Sequence, residues 1–249
     1  MKPNILFAGD SSLLMEFEQT ISPDVNTKIS ALVRLIREQQ IEGVVDLIPS
    51  FCALLINYDP RVVSFDKISR RLSELAQLEV QAEESAARVF NIPVCYGGDY
   101  GPDIGHIAER AGIGTDEVIK LHSGSDYLIY MLGFMPGFPY LGGLDEKIHT
   151  PRLETPRVLI RAGSVGIGGA QTGIYPINSP GGWQLLGMTP IKTYDPAREV
   201  PILFEAGDYI RFVPIDEKEF TEIKALDEKN EYECPVRPMI KTVKTNGCA

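Results

Sequence analysis

Residues 126–144 read DYLIYMLGFMPGFPYLGGL. The first seven, Asp126 to Leu132, are rich in Tyr, Ile and Leu and contain no turn former, so they predict a strand. From Gly133 onward the texture changes. Twelve of the 23 glycines lie between Gly133 and Gly187, together with six prolines. Short β segments follow at Val158 to Arg161, Ile191 to Tyr194 and Tyr209 to Val213, separated by long loops. Short strands bounded by turn formers predict a β-barrel or sandwich for residues 125–233, rather than a parallel sheet.

Upstream, the pattern is different. Ile5-Leu6-Phe7 and Leu13 to Phe17 predict a hairpin around Gly9-Asp10-Ser11-Ser12. Ser22-Pro23 predicts a helix start, because Ser caps the free amides and Pro tolerates the first turn. Val25, Ile29, Leu32 and Ile36 then recur at helical spacing. Val44 to Ile48 and Ala53 to Ile56 predict a second hairpin, and Ile68, Leu72 and Leu75 a second helix after Ser64. Val89 to Tyr96, interrupted by Pro93, predicts a closing strand that suits an edge or a strand start. Residues 1–96 thus form an expected ferredoxin-like α/β domain. Residues 97–124 predict a helical linker of two short helices, and residues 234–249 a flexible tail.

Composition narrows the function classes. A net charge of −10 in 249 residues argues against wrapping nucleic acid or an anionic membrane, which demand a basic surface. No apolar run reaches the roughly 20 residues that span a bilayer. The N-terminus has no signal-peptide pattern, so a cytoplasmic location is expected. Cys52, Cys95, Cys234 and Cys248 form no C-x-x-C pair, and His106, His122 and His149 are too dispersed for a zinc motif, so no metal site is expected.

Two motifs imitate known ones. Ile107 to Leu121 has helix-turn-helix spacing, but its second helix opens with Asp116-Glu117, the wrong charge for phosphates; a packed helical hairpin is the better reading. Gly163 to Gly169 resembles a phosphate loop, but no Gly-Lys-Ser/Thr follows and no helix opens behind it. A tight loop with its backbone close to something fits better. No Gly-x-Ser-x-Gly elbow is present.

Two loops concentrate the chemistry: Gly133 to Leu144, and Ala170 to Trp183. Aromatics spaced by Pro and Gly give rigid apolar walls, and a few polar groups between them suit a small-ligand pocket. Plugging of a barrel end by the same aromatics is the competing reading. For a pocket, Phe134, Phe138 and Trp183 are the wall candidates, and Gln171, Thr172 and Tyr175 would bind the ligand's polar edge. Arg152 and Arg157 are candidates for a carboxylate or phosphate, which a guanidinium pairs bidentately. Asp103 and His122 are the titratable candidates for proton transfer or Mg²⁺, with a helix cap or structural hydrogen bond as the alternative for each.

The strings GFMPGFPYLGGL and AGSVGIGGAQTGIYPINSPGGWQLLG, with Gly101-Pro102-Asp103-Ile104 and Thr150-Pro151-Arg152, closely resemble one family. It comprises the B subunits of bacterial 5-oxoprolinase, allophanate hydrolase subunit 1 and the sporulation histidine-kinase inhibitor proteins. The resemblance spans roughly residues 5 to 215. It implies an α+β fold, a ferredoxin-like N-terminal domain followed by a cyclophilin-like β-barrel. It also implies a hydrolase complex that opens 5-oxoproline to glutamate with ATP. Partners would be the paralogous C subunit of 5-oxoprolinase and a third, the A subunit, with ATP and Mg as co-substrate and no tightly bound cofactor. The chain is not expected to be active alone. The resemblance leaves two alternatives: inhibition of a sensor histidine kinase, or a urea- or allophanate-linked carboxyltransfer module. Two positions depart from the pattern: Arg161 stands where proline is expected, and Gly187-Met188-Thr189-Pro190 where Gly-Arg-Thr-Pro is usual.

Overall fold

A computed structural model describes residues 3–18, 22–78 and 87–239. It divides into two units, Met1–Ser85 and Ala86–Ala249, each with its own core.

In the first unit, hairpin β1 (Asn4–Phe7) and β2 (Ser12–Glu16) precedes α1 (Pro23–Glu38). β3 (Val44–Pro49), β4 (Ala53–Tyr58) and α2 (Phe65–Gln77) follow. The strands form an antiparallel sheet in the order β1-β2-β4-β3. Both helices start where the capping residues predict. Ser22 accepts from the Asp24 amide and Ser64 from the Lys67 amide, which satisfies donors that the first helical turn leaves free. Leu13, Met15, Leu54 and Ile56 alternate onto one face of the sheet, and Ile29, Ile36, Ile68 and Leu72 close over them.

The second unit is a closed barrel. Its strands are β5 (Arg88–Tyr96), β6 (Asp126–Leu132), β7 (Pro139–Gly142), β9 (Ser164–Gly168), β10 (Gln171–Ile174), β12 (Gln184–Met188) and β13 (Tyr209–Ile215). The order β12-β9-β10-β7-β6-β13-β5 returns on itself through β12–β5 pairing, so these seven strands leave no open sheet edge to protect. The α+β class with a β-barrel is therefore what the structure shows. A small two-stranded ribbon, β8 (Arg157–Ile160) with β11 (Ser179–Gly181), is separate from the barrel. Inside, Ile92, Val94, Tyr127, Ile129, Val165, Ile167, Ile174 and Phe212 form the core.

Three sequence expectations change here. The strand at residues 88–96 does not close the N-terminal unit. β5 pairs in parallel with β13 over seven positions and antiparallel with β12 at Cys95 and Tyr96, partners that are far away in sequence. The two helices read as a linker, α3 (Ile104–Ala111) and α4 (Thr115–Ser123), form a packed hairpin whose Ile104, Ile107 and Val118 enter the barrel core. Gly112 ends α3 at φ +65°, a left-handed backbone that glycine adopts at little cost.

The third change is at the C-terminus, where residues 236–238 are not a loose tail. β14 (Val236–Pro238) pairs with β5 at residues 88–90, and Arg237 donates to both oxygens of Asp126 at 2.7 and 2.8 Å. Residues 240–249 of the expected tail lie outside the described residues. Pro93 falls between the β14 and β12 pairings of β5, where its missing N–H leaves no ladder bond unmade on that side. Among the described residues no helix is long and apolar enough to cross a membrane.

Candidate functional site

Along β9 and β10 the side chains alternate between the barrel interior and its outer surface. Val165, Ile167, Thr172 and Ile174 point inward, and the outward positions of the pair are Gly166, Gly168, Gly173 and half-exposed Gln171. Gly166 faces Gly173 and Gly168 faces Gln171 across the ladder. A Cβ at Gly168 would collide with the Trp183 indole, and one at Gly173 would come within 3.1 Å of the same ring. The glycine-rich stretch is thus a flat outer platform for one indole. Residues 164–168, read from the sequence as part of a tight loop, are strand β9; Gly166 and Gly168 approach Trp183, while Gly163 lies against the Thr189 carbonyl.

Around that indole the two aromatic loops converge. Phe138, Tyr175 and Trp183 are buried together with Ile160 and Leu185. The Phe138 ring meets Trp183 edge-on at 5.4 Å and Tyr175 at 5.2 Å, the geometry that aligns ring edges with ring faces. Tyr140 lies 4.9 Å from Phe138. Phe134 sits at the rim, 65% exposed and edge-on to Phe138, with its backbone at φ +66°. That left-handed conformation is costly for a bulky residue. Exposed Arg152 lies 5.8 Å over the Trp183 ring, within cation–π range.

Arg157 and Asp103 lie against the same cluster. Arg157 Nη2 is 2.6 Å from Asp103 Oδ1, and its Nη1 donates to the Trp183 carbonyl at 3.2 Å. Asp103 Oδ2 accepts from the Leu185 amide at 2.6 Å. Asp103 is therefore no helix cap through its side chain: it sits at the start of α3, but its carboxylate reaches sideways. It ties α3, β12 and Arg157 together. Burial pushes the Tyr175 phenol pKa up against a hydrogen bond with the Trp183 backbone and the nearby Arg152 charge. Burial likewise raises Tyr140.

His122 and Thr172 belong elsewhere. Both are fully buried in the barrel interior. His122 Nδ1 is 2.8 Å from the Tyr96 hydroxyl and Nε2 is 2.8 Å from Thr172 Oγ1. Thr172 Oγ1 donates onward to the Gly166 carbonyl at 3.0 Å, so it accepts from Nε2–H, and Nδ1 accepts from Tyr96. Desolvation lowers the His122 pKa to about 3, and Phe212 stacks on the ring at 4.5 Å. Both ring nitrogens are thus occupied inside the core. The structural hydrogen bond, rather than proton transfer at a surface site, is the reading the geometry favours.

The structure thus brings together Phe134, Phe138, Arg152, Arg157, Tyr175, Trp183 and Asp103, and puts Gln171 on the same outer face of the β9–β10 pair. It leaves His122 and Thr172 on the inside. Sequence reasoning missed Tyr140, Ile160 and Leu185, and missed why the glycines are there. Their alternate spacing at 166, 168 and 173 was the available signal. Of the two departures, Arg161 is exposed and donates to the Asp99 carbonyl at 2.6 Å. Met188 is buried with Cys95 and Phe220, an apolar setting that suits a thioether.

The arrangement offers an aromatic wall, one exposed guanidinium over an indole, one guanidinium held by a carboxylate, and one amide. It suits a small ligand with a planar or apolar body and an anionic group. Known proteins resemble this chain over most of its length. The B subunit of 5-oxoprolinase from Bacillus subtilis (strain 168) is 41% identical over 222 residues, covering 85% of this chain and 92% of that protein. Its namesake from Escherichia coli O157:H7 is 43% identical, covering 83% of this chain and 93% of its own. The crystal structure of the Kluyveromyces lactis urea carboxylase superposes with a TM-score of 0.81 at 21% identity, over 95% of this chain and 24% of that one; this shows a shared fold. Residues 3–204 match the family model described as carboxyltransferase domain, subdomain C and D, and the chain belongs to that family.

Proposed function

We propose that this chain is the B-type member of an ATP-dependent 5-oxoprolinase complex. The observation that carries the reading is the 41–43% identity to two 5-oxoprolinase B subunits over more than four-fifths of both partners. The outer aromatic cluster supports it chemically. 5-Oxoproline is a small ring with one carboxylate and one lactam: the ring suits the Phe134–Phe138–Trp183 wall, the carboxylate suits Arg152, and the lactam edge suits Gln171. An unstrained amide carbonyl is a poor electrophile. Phosphoryl transfer from ATP to its oxygen, releasing ADP, opens the carbon to water. The C–N bond then breaks, the ring nitrogen leaves as the amine, and a second water hydrolyses the resulting acyl phosphate to inorganic phosphate and the side-chain carboxylate of glutamate.

In this reading the chain supplies part of a shared site. Among the described residues no three His, Cys, Asp or Glu side chains gather in a way that could hold a metal ion. The chain and the paralogous C subunit together activate the lactam with Mg²⁺–ATP, and the third, the A subunit, hydrolyses it. Asp103 acts through Arg157 and is a positioning residue. The test is ADP and glutamate release from the three-component mixture with each chain omitted in turn. Activity is expected only when all are present. Glutamate made by this chain alone, or full activity without it, overturns the reading.

A second reading rests on the family description and the urea carboxylase fold likeness: a carboxyltransfer module acting on urea or allophanate. Carboxylation of urea by a mixture containing this chain and a biotinylated carrier, with no 5-oxoproline turnover, would favour it.

A further inference from the structure

The first unit holds a cleft that the outer aromatic site does not use. It measures about 460 Å³ and lies between the end of α1 and the first half of α2. Its floor is apolar, formed by Ile41, Val63 and Ile68. Its walls are charged in an unusual way for a chain of net charge −10. Lys67, Arg70, Arg71 and Glu74 line it from α2 and Glu42 from the segment after α1, three cations and two carboxylates, a local balance of +1.

These charges are not equivalent. Arg71 is engaged: it donates to Gln39 Oε1 at 2.6 Å and pairs with Glu74 at 3.3 Å. Lys67 and Arg70 have no carboxylate within ion-pair distance among the described residues, and Glu42 has no cation. Among the described residues the cleft therefore presents two cations and one carboxylate without an ion-pair partner, over an apolar floor. The backbone between its walls is also held unusually, with Gln40 at φ +44°. Glycine is the common residue at that left-handed position after a helix, and a glutamine there is retained against a backbone cost.

We propose that this cleft binds an acidic amino acid, with its two carboxylates on Lys67 and Arg70 and its ammonium on Glu42. The complement is stoichiometric: such a ligand carries two negative groups and one positive group on a short aliphatic chain. The helix ends agree with that orientation. The carboxylates would lie along the opening turns of α2, and the ammonium at the carbonyl end of α1. If the chain is part of a 5-oxoprolinase, the acidic amino acid is the reaction's own product, glutamate. The lactam substrate, with one carboxylate and no ammonium, lacks two of the three matching groups. The ligand's identity rests on that functional reading; the charge pattern does not.

Isothermal titration of the full chain with L-glutamate, glutarate, 5-oxo-L-proline and inorganic phosphate tests this. Glutamate is expected to bind one to one. Lys67→Ala and Arg70→Ala should each weaken it by on the order of tenfold, as expected for loss of one charge-assisted contact. Glu42→Gln should weaken glutamate but leave glutarate, which has no ammonium, unchanged. All three side chains are exposed, so the variants should keep the wild-type melting temperature. No glutamate binding, binding that survives Arg70→Ala, or phosphate and 5-oxoproline binding as tight as glutamate each overturns the proposal. Because the isolated chain is titrated, a negative chain-omission assay with intact glutamate binding would refute the enzyme reading and leave the cleft standing.

Discussion

Arg157 and Asp103, 54 residues apart in sequence, meet at 2.6 Å, and the second oxygen of Asp103 accepts the Leu185 amide. One carboxylate thus orients the guanidinium beside the Trp183 carbonyl and fixes the start of α3 to β12. Removing it leaves a half-buried guanidinium and a backbone amide without their partner. Asp103→Ala should cost about 1–3 kcal/mol in chemical denaturation. Asp103→Asn, which keeps an acceptor for the amide, should cost less. Equal stability of the Ala variant and wild type would mean that the pair is ornamental.

Gly168 lies directly beneath the Trp183 indole. Gly168→Ala should therefore displace the ring and lower stability by about 1–3 kcal/mol, the usual range for overpacking. The near-ultraviolet circular dichroism of the single tryptophan should change with it. Combining Gly168→Ala with Trp183→Leu should cost less than the sum of the two single changes, since the clash disappears with the indole.

His122 gives stability a specific pH dependence. Its pKa is about 3 in the fold against an ordinary 6.5, because burial disfavours the charged form. The unfolded chain takes up a proton below pH 6.5 that the folded chain refuses. The stabilisation is therefore complete above about pH 6.5 and is lost as pH falls toward 3, by about 1.4 kcal/mol per pH unit. Urea midpoints measured between pH 7 and 5 should show this slope, and His122→Gln should flatten it. An unchanged slope in the variant would refute the assignment.

The last described strand makes a claim about truncation. Deleting residues 234–249 removes β14 and the Arg237 bonds to Asp126. Burial works against the charged form of Asp126, but hydrogen bonds from Arg211 and Arg237 outweigh it and hold the carboxyl below its ordinary pKa. The truncated chain should melt several degrees lower, whereas deletion from residue 240 onward should leave this strand's contribution intact. Differential scanning calorimetry of both truncations decides between a strand and a tail.

Gln171 and Tyr175 separate two kinds of role on one strand and its following loop. Gln171→Ala should lower turnover of the assembled complex by roughly 5- to 150-fold with little change in melting temperature, as for a lost hydrogen bond to bound substrate. Tyr175 is 2% exposed, and its hydroxyl bonds with the Trp183 backbone. Tyr175→Phe should therefore cost about 0.5–1.5 kcal/mol of stability. Turnover and melting temperature measured together on both variants check this, and a stable, inactive Tyr175→Phe would reverse the assignment.

What the sequence determined by itself is local. Ser22 and Ser64 start helices because a side-chain oxygen and free amides lie within one turn of each other. The hairpins β1–β2 and β3–β4 close over a few residues, and apolar periodicity names the faces they bury. The aromatic residues of the outer site were legible because Pro and Gly around them cannot continue a strand or helix. The tertiary structure alone decided which strands are neighbours. β5 reads as an ending to the first unit, yet its partners are β13, β12 and β14, all far downstream. Nothing local encodes such pairing, because the ladder bonds of a strand are the same whichever chain segment supplies them. The same long-range closure sorted the site. Strand alternation in the closed sheet turned Thr172 into the core and left Gln171 outside, packing of α4 brought His122 onto Thr172, and the fold carried Trp183 onto a glycine platform formed by strands that precede it. A residue's chemistry is written in the sequence; which side of a closed sheet it faces follows from the register of strands that fold back from far away.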